Sequence, residues 1–408
     1  MITVLIPAHN EESNIANAID SLNVQTRQPD KIVVIADNCT DRTGVIASSM
    51  GVDVVHTVDN TQKKAGALNQ VLDDILNTDE LYLVMDADTV IGESFLEVAE
   101  NRMSDKTIGA VGGLFYGEPG HGVLGALQRN EYQRYSGTMA FDESKTMVLS
   151  GTASLFRGEA LYDVARLRGS TLPGISGDVY DTNSLTEDNE LTIALKTLGW
   201  KMVSPQECNN ITEVMPTWTD LWKQRKRWQR GAIENLRMYG LTKTTRKYWF
   251  QQLGIAYGVL SFLFLALLAA LVLLSTTDYK FYPFWIGVTA VFVIERVRTV
   301  WKLGWQSRLV AAPLVIEVVY DLFLQAVFIK SVIDSVLKKQ EHWQQPTTRK
   351  PMVFMMSSSL LLVAALAINL GQYPQLASTA VFQFLIIFVT INTVFFAVLG
   401  AMKATRLH

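Results

Sequence analysis

Two stretches in the C-terminal part of the chain lack charged residues over lengths that the core of a soluble domain does not need. No charged residue occurs between Lys247 and Asp278, and none occurs from 351 to 402. An apolar helix of about 20 residues spans the hydrocarbon layer of a bilayer, so these stretches predict membrane-spanning helices. Residues 1–247, in contrast, have the mixed composition of a soluble domain.

The apolar segments predict four spans in a membrane region over 241–408. The spans are expected near 252–275, 282–301, 352–369 and 377–401. The connectors 276–282 and 370–377 contain almost no basic residues, whereas the other flanks of the spans are basic. Because basic loops stay on the cytoplasmic side, we expect residues 1–240 to form a cytoplasmic domain of an integral, multi-pass membrane protein.

The segment 309–330 is apolar but contains Glu317 and Asp321, which lie four positions apart and therefore on one helix face. If it crossed the membrane, the basic segment that follows it would lie outside. We therefore expect an interfacial or re-entrant helix, with a fifth span as the alternative. Acidic side chains are unfavourable in lipid, so we expect them to pack against Arg296, Arg298 or backbone.

The charge balance and the cysteines exclude several classes of protein. The chain has 36 Lys and Arg against 39 Asp and Glu, so nothing predicts a nucleic-acid partner. Cys39 and Cys208 have neither metal-site spacing nor a disulfide framework, which favours a reducing compartment. The chain opens on the apolar residues 2–6 without a basic segment before them, so we expect no cleaved signal peptide.

The first half of the chain alternates strand-like and helix-like patterns, which predicts βαβ units and a mainly parallel sheet. Consecutive Val, Ile and Leu residues, typical of strands covered on both faces, occur at 2–6, 31–35, 52–56 and 81–85. Amphipathic helices are expected near 11–25, 41–50 and 64–77. Polar clusters follow three of the strands, at 7–12, 37–41 and 86–88, where ligands bind in parallel sheets.

Asp86-Ala87-Asp88 is the cluster with the most definite chemistry. Two carboxylates one residue apart at a strand end can share one Mg²⁺ or Mn²⁺, since both ions prefer oxygen ligands. No Walker-type glycine-rich loop is present to hold phosphates by backbone amides. A solvated turn is the alternative interpretation of this pair alone.

Further motifs follow in order along the chain. They are Lys63-Lys64-Ala65-Gly66, Thr186-Glu187-Asp188, and Gln224-Arg225-Lys226-Arg227-Trp228 on an amphipathic stretch near 217–240. Together with the Asp-x-Asp pair, they resemble the family 2 glycosyltransferases, in particular the membrane synthases of cellulose, chitin, hyaluronan and poly-N-acetylglucosamine. The resemblance implies an α/β, GT-A-like nucleotide-sugar-binding domain with a mainly parallel sheet, an interface helix at 217–240, and an α-helical transmembrane region.

The resemblance also implies roles for individual residues. It assigns Asp188 as the general base and Asp86 and Asp88 as the ligands of Mg²⁺ or Mn²⁺. The residues implied to bind the donor nucleotide are Pro7, Asn10, Glu11, Asp37, Lys64, Asp86 and Arg227. The residues implied at the acceptor are Gly151, Thr152, Glu187, Gln224 and Trp228.

Several of these residues have a second, purely structural interpretation. Asp188 could cap a helix, with or without a catalytic role. Asp37 could form a turn with its neighbours, and Lys64 could be a solvated helix residue. Trp228 could anchor the chain at the membrane interface and not stack on a sugar.

A looser similarity concerns the segment 342–349, where Trp343 and Arg349 resemble the part of the synthases that closes over the nucleotide. A basic interfacial linker is the alternative. Many of the synthases begin with one or two spans before the catalytic domain, and this sequence has none before 1–240. This difference leaves open whether the membrane region secretes a polymer.

The sequence therefore predicts an inverting membrane glycosyltransferase that uses a UDP-sugar and acts as a processive β-glycan synthase. One alternative is transfer of a single sugar to a membrane lipid, as in ceramide glucosyltransferases. An alternative of another class is a transporter or scaffold with a nucleotide-binding domain. The expected partners are the donor, a glycan or lipid acceptor, and the bilayer.

Overall fold

The computed structural model describes residues 1–140, 146–274, 284–338 and 380–406. The chain divides into two compact units. The first unit comprises Met1–His121, Glu131–Met215 and Gly231–Arg246, and the second comprises Gly122–Asn130, Pro216–Arg230 and Lys247–His408.

The first unit contains alternating strands and helices, and its fifth and last helices begin in the second unit. The strands are β1 (Ile2–Ala8), β2 (Lys31–Ala36), β3 (Asp53–His56), β4 (Leu81–Met85), β5 (Val90–Ile91), β6 (Ile108–Gly112), β7 (Leu114–Gly117), β8 (Ala153–Arg157), β9 (Lys201–Val203) and β10 (Asn209–Thr212). The helices are α1 (Ile15–Asn23), α2 (Thr43–Ser49), α3 (Lys63–Ile75), α4 (Phe95–Arg102), α5 (Gly122–Ala140), α6 (Gly158–Leu167), α7 (Glu187–Thr197) and α8 (Trp218–Tyr239).

The main sheet has seven strands in the order β3-β2-β1-β4-β8-β6-β9. All neighbouring strands pair in parallel except that β8 runs antiparallel to both β4 and β6. The four strands expected from the sequence are β1 to β4, and the mainly parallel sheet is confirmed. A smaller sheet, in the order β5-β10-β7, joins the segment after β4 to the segment after β9.

Side chains from successive residues of β1 enter two different cores. Val4 and Ile6 pack with α1 and α4, whereas Leu5 packs with α3, α6 and α7. This alternation follows from the period of two in a strand. The strand β3 differs from the sequence expectation, because it lies at the edge of the sheet and Val55 is exposed.

The second unit is helical. Its remaining described helices are α9 (Arg246–Leu274), which begins at the last residue of the first unit, α10 (Phe284–Thr299), α11 (Trp305–Ala311), α12 (Val315–Val336) and α13 (Ala380–Arg406). Among the described residues, one helix is long and apolar enough to cross a bilayer, over Arg246–Leu268. The bent pair α11 and α12 would make a second candidate if it counts as one span, and Gln383–Leu399 is apolar but shorter.

These helices coincide in part with the expected spans. The expected spans at 252–275, 282–301 and 377–401 overlap α9, α10 and α13, and the one at 352–369 lies outside the described residues. The number of spans therefore stays a prediction. One difference concerns the single helix expected over 309–330, which is instead two helices bent by 74°.

The bend follows from local backbone chemistry. Pro313 has no N–H to donate to a helix ladder, and Leu314 adopts a positive φ of 52°. The two acidic residues that follow the bend are paired with Arg296 of α10. Its guanidinium donates to Glu317 over 2.7 Å and lies 3.4 Å from Asp321, as expected for acidic residues in an apolar helix.

The helix α12 packs against the first half of α8 within the second unit. The Phe323 ring lies 5.1 Å from the Trp218 ring and 5.7 Å from the Trp222 ring, measured between centroids. Lys226, one turn beyond Trp222 on α8, has its ammonium 3.3 Å from Asp334, near the end of α12. The amphipathic helix expected at 217–240 is therefore attached to the apolar helix that the sequence placed at 309–330.

A fully buried ion pair joins α7 to the loop that follows α6. The Arg168 guanidinium donates to both carboxylate oxygens of Glu190, over 2.8 and 2.7 Å, and also to the carbonyl oxygens of Pro173 and Val179. The pair fixes the segment 168–190 against the first unit's core. Such a pair is tolerated in a core because its charges and hydrogen bonds are mutually satisfied.

Removing one partner of this pair should destabilise the first unit strongly. Arg168→Met leaves the Glu190 carboxylate buried without its cation, and we expect a loss of about 3–5 kcal/mol in the free energy of unfolding. The double variant Arg168→Met/Glu190→Leu should lose less, because no charge is left unpaired. Denaturant unfolding of the full chain in detergent measures both, with Arg27→Met at the half-exposed pairs of Arg27 as the control. Equal losses in the single and double variants would contradict this account.

Candidate active site

The Asp-x-Asp pair follows β4 in the middle of the main sheet. Because β8 runs antiparallel to β4, the loop that enters β8 lies beside the end of β4. The Asp86 backbone N–H donates to the carbonyl oxygen of Thr152 over 2.9 Å. The predicted metal-binding segment and the predicted acceptor loop, Gly151 and Thr152, are therefore neighbours.

The Lys64 ammonium connects three of the predicted site residues. It donates to Asp86 Oδ1, donates to the Gly151 carbonyl oxygen over 3.2 Å, and lies 3.6 Å from Glu187 Oε1. Burial lowers the pKa of Lys64, but Asp86 and Glu187 outweigh it and hold that pKa above its usual value. Lys64 is therefore a charged ion-pair partner and not a solvated helix residue. Its contact with a nucleotide stays a prediction.

Asp188 lies in the first turn of α7 with its carboxylate held by backbone amides. Oδ2 accepts the Gly151 N–H over 3.1 Å, and Oδ1 accepts the Asn189 N–H over 2.7 Å. The N-cap residue of α7 is Thr186, so Asp188 is not the N-cap residue, although its carboxylate accepts one free N–H of the first turn. Burial and the charge of Glu187 raise the pKa of Asp188 to about 6, although Lys64 opposes them.

Asp88 accepts hydrogen bonds from two hydroxyl groups, those of Thr89, just before β5, and Thr212, at the end of β10. Its Oδ1 accepts from Thr89 Oγ1 over 3.2 Å and from Thr212 Oγ1 over 3.4 Å. Burial, Asp86 and Glu11 raise the pKa of Asp88 to about 7. The end of β4 therefore carries a concentration of negative charge around a partly buried carboxyl group, so it is more than a solvated turn.

Asp37, after β2, is the centre of a hydrogen-bond network. Its Oδ1 accepts from Asn38 Nδ2, Thr57 Oγ1 and Asn60 Nδ2, over 3.0, 2.8 and 2.8 Å. These three bonds orient the carboxylate and leave its second oxygen without a protein donor in the part of the chain that the structure describes. An N–H group of a nucleoside base is a suitable partner for such an oxygen.

The loops after β1 and β2 are joined to each other beside Asp37. Asn10 Oδ1 accepts the Thr40 N–H over 2.8 Å, and the Glu11 N–H donates to Thr43 Oγ1 over 2.8 Å. Pro7 lies in β1, one residue from its end. The residues predicted to bind the nucleoside, Pro7, Asn10, Glu11 and Asp37, therefore lie together at the carboxyl ends of β1 and β2.

No sequence motif includes Asn60, whose side chain bonds to the backbone at the start of α3. Its Nδ2 donates to Asp37 and to the Lys63 carbonyl oxygen, each over 2.8 Å, and its Oδ1 accepts the Gln62 N–H over 2.9 Å. A Cβ on Gly66 would lie 2.2 Å from that Oδ1, so only glycine permits this approach. Because Asn60 holds Lys63, the network also positions Lys64, which follows it, beside Asp86 at the end of β4.

The predicted acceptor residues Gln224 and Trp228 and the predicted donor residue Arg227 lie on α8, in the second unit. Arg225 donates to Gln224 Oε1 over 2.8 Å, and its guanidinium lies 4.3 Å from the centroid of the half-exposed Trp228 ring. That the three residues meet the donor or the acceptor stays a prediction.

The predicted lid residues, Trp343 and Arg349, lie outside the described residues.

Residues 1–231 match the family model described as "Glycosyltransferase like family 2". The chain belongs to this family. It is therefore a glycosyltransferase, and the transporter or scaffold alternative is set aside. The sequence resemblance to family 2 enzymes is confirmed.

Curated relatives that match the chain include polysaccharide synthases. The chain is 25% identical over 257 residues to the poly-β-1,6-N-acetyl-D-glucosamine synthase of Staphylococcus aureus strain COL, covering 60% of the chain and 58% of that protein. It is 26% identical over 324 residues to the synthase of the same name from Staphylococcus epidermidis, covering 75% of each. The match therefore spans less than two thirds of the Staphylococcus aureus protein.

Among solved structures, the mannosyltransferase PcManGT from Pyrobaculum calidifontis, in complex with GDP-Man and Mn²⁺, has a similar fold. The TM-score is 0.53 at 16% identity, and the match covers 83% of this chain and 88% of that chain. The glycosyltransferase therefore has the GT-A-like fold with a mainly parallel sheet that the sequence predicts.

Gly151 offers a direct test of the site geometry. A Cβ at this position would lie 3.0 Å from Asp188 Oδ2 and 3.5 Å from the Lys64 ammonium. Gly151→Ala should displace the carboxylate by a few tenths of an ångström. We expect sugar transfer to fall by about tenfold, less than the roughly 100-fold loss that a 1 Å misplacement causes. Initial rates with a nucleotide-sugar donor measure the effect.

The matched control for this variant is Gly254→Ala in α9, where an added Cβ meets no atom within 4 Å. It should keep the wild-type rate. Full activity of Gly151→Ala would mean that the Asp188 carboxylate does not need its present position.

Proposed function

We propose that this glycosyltransferase is an inverting membrane enzyme that uses a UDP-sugar and extends a β-glycan processively. One observation carries the proposal: the partly buried Lys64 ammonium contacts Asp86, the Gly151 carbonyl oxygen and Glu187 at once. Because Glu187 and Asp188 are adjacent, this ammonium brings the donor end of the site and the general base together. Proximity of base and donor is what a direct displacement requires.

In the proposed reaction, the Asp188 carboxylate takes the proton of the acceptor hydroxyl. The acceptor oxygen forms a bond to the anomeric carbon from the side opposite the diphosphate, and the bond from that carbon to the diphosphate oxygen breaks with inversion. The electron pair leaves on the nucleoside diphosphate. Lys64, and Arg227 as a predicted diphosphate ligand, would stabilise that charge, because fixed cations in a buried site need no reorganisation.

Asp86 and Asp88 are the residues that would hold a divalent cation. Within the described residues, no three acidic, histidine or cysteine side chains converge on one metal position. At nucleotide sites Mg²⁺ is usually bound by one or two carboxylates together with phosphate oxygens, and this pair could supply such carboxylates. The negative charge around the partly buried Asp88 also favours a cation. A bound cation supplies charge stabilisation at the leaving diphosphate.

The nucleoside end of the donor would contact Asp37. The unpartnered oxygen of this carboxylate can accept an N–H, which uracil and guanine offer on their pairing edges and adenine does not offer in the same place. We propose uracil because the sequence resembles UDP-sugar synthases. The names of the Staphylococcus relatives make UDP-N-acetylglucosamine the first donor to test.

The polymer product and the membrane setting are supported by two further observations. Both Staphylococcus relatives are named as synthases of a glucosamine polymer. One described helix, and a second if the bent pair counts as one, is apolar and long enough to cross a bilayer. We propose that the apolar helices hold the first unit at the cytoplasmic face, where acceptor glycan and nucleotide sugar meet.

Replacing the proposed base should remove catalysis but not donor binding. Asp188→Asn keeps the shape of the side chain and loses the proton acceptor, so we expect turnover to fall by about 10²–10⁴-fold, the usual contribution of a general base. In the wild type at saturating Mn²⁺, kcat/KM should fall tenfold per pH unit below about pH 6, because the carboxyl group is protonated below its pKa.

Steady-state rates from pH 5 to pH 8 measure both effects, and calorimetry with UDP measures donor binding. Asp163→Asn, on α6 beside Arg166, is the matched control and should behave as the wild type. Wild-type turnover by Asp188→Asn would contradict the proposal.

Product length separates the proposed polymer synthase from a lipid glycosyltransferase. The full chain in detergent, with radiolabelled UDP-N-acetylglucosamine and Mn²⁺, should give a ladder of oligosaccharides, because a processive enzyme keeps the new chain end beside the base. A single sugar attached to lipid would contradict the polymer reading and support the lipid acceptor. Asp188→Asn should give neither product.

A further inference from the structure

Three residues of the second half of α8 contact the start of α7, all within the first unit. They are Gly231, Asn235 and Tyr239, which are spaced four apart and therefore lie along one face of the helix. No motif of the sequence includes them. The segment that they contact, 184–190, contains the proposed base.

Asn235 is buried and uses its whole side-chain amide on this segment. Its Nδ2 donates to the Thr186 carbonyl oxygen over 3.3 Å, to Thr186 Oγ1 over 3.2 Å and to Asn189 Oδ1 over 3.0 Å, while its Oδ1 accepts from Ser184 Oγ over 2.8 Å. It is only 1% exposed. The Asn235 side chain therefore forms hydrogen bonds to Thr186 and Asn189, the residues on either side of Glu187 and Asp188.

Gly231 permits this contact, and Tyr239 extends it. A Cβ on Gly231 would lie 2.4 Å from Thr186 Oγ1, so any larger residue would push α8 away from the segment. One turn beyond Asn235, the Tyr239 hydroxyl donates to Glu190 Oε1, on the carboxylate that Arg168 also holds. The start of α7 is therefore fixed at Thr186, Asn189 and Glu190, the residues that flank the proposed base.

The Asp188 carboxylate itself makes its hydrogen bonds to the backbone amides of Gly151 and Asn189. Its direction is therefore determined by where the backbone of 186–189 lies relative to Gly151. Asn235 determines one side of that relation and touches neither the carboxylate nor Lys64 among the contacts of the described residues.

We propose that Asn235 is a positioning residue for Asp188, which aims the base at the acceptor hydroxyl through the backbone on either side of it. This inference rests on the proposed function, because it takes Asp188 as the general base. It concerns alignment and not donor binding, since Asp37, Asn60 and Lys64 do not depend on the Asn235 amide.

The test compares Asn235→Ala with Gln25→Ala in the full chain. Gln25 is a suitable control because it is also a buried amide, 3% exposed, whose side chain bonds to the backbone of Ser21, Gly92 and Leu96. Both variants lose several buried hydrogen bonds, and both should lower the melting temperature. Only Asn235→Ala removes contacts beside Asp188.

We expect Asn235→Ala to lower kcat by about 10- to 100-fold, the size of effect that a shift near 1 Å produces. KM for the donor and the Kd for UDP should stay unchanged, and Gln25→Ala should keep the wild-type kcat. A kcat near the wild type in Asn235→Ala, or an equal loss of kcat in Gln25→Ala, would overturn the proposal, because it would leave only a role in stability.

A double variant separates this inference from the proposed function. If Asn235 acts through the base, Asp188→Asn/Asn235→Ala should turn over no more slowly than Asp188→Asn, since residues that act as a unit are not additive. Full activity of Asp188→Asn would overturn the proposed base and this inference together. An inactive Asp188→Asn with an active Asn235→Ala would overturn the positioning role alone.

Discussion

The site depends on one partly buried cation, the Lys64 ammonium. Asp86 and Glu187 contact the Lys64 ammonium, and Asp188 lies close enough to feel its charge. Carboxylates that are removed from water are strongly destabilised unless a cation and hydrogen bonds compensate them. Without Lys64, the carboxylate of Asp86, after β4, and that of Glu187, in α7, would repel each other beside the loop that contains Gly151. The hydrogen bonds of Asn60 to the backbone at the start of α3 position the Lys64 ammonium beside Asp86.

Much of this arrangement is predictable from the sequence because it repeats a local pattern. The strand β4 has the bounds that its apolar run predicts, and Asp86 follows it directly. A strand covered on both faces reads as a continuous apolar run, and its end is where polar residues resume. The edge strand β3 is also present, but its exposed face does not follow the same rule, because a strand at the edge has fewer elements to cover it.

Other features are absent from any local pattern. Asn60, Thr212 and Asn235 are single polar residues whose partners come from distant segments, so neither periodicity nor spacing distinguishes them from surface residues. The break before α12 had a local signal in Pro313, but the high average hydropathy of the segment concealed it. A sequence pattern reflects the average character of neighbouring residues, so it reveals neither hydrogen bonds between distant segments nor a break of one or two residues within an apolar segment.

The contact between Thr212 and Asp88 has a consequence for how the protein is made. The two residues are 124 positions apart, so the surroundings of Asp88 are complete only after β10 has left the ribosome. The first long apolar helix begins later still, at Arg246. Domains generally fold as units during synthesis, from the N-terminal end. Every strand of both sheets therefore precedes α9 in the chain, so the sheets of the first unit can pair before the long apolar helix is synthesised.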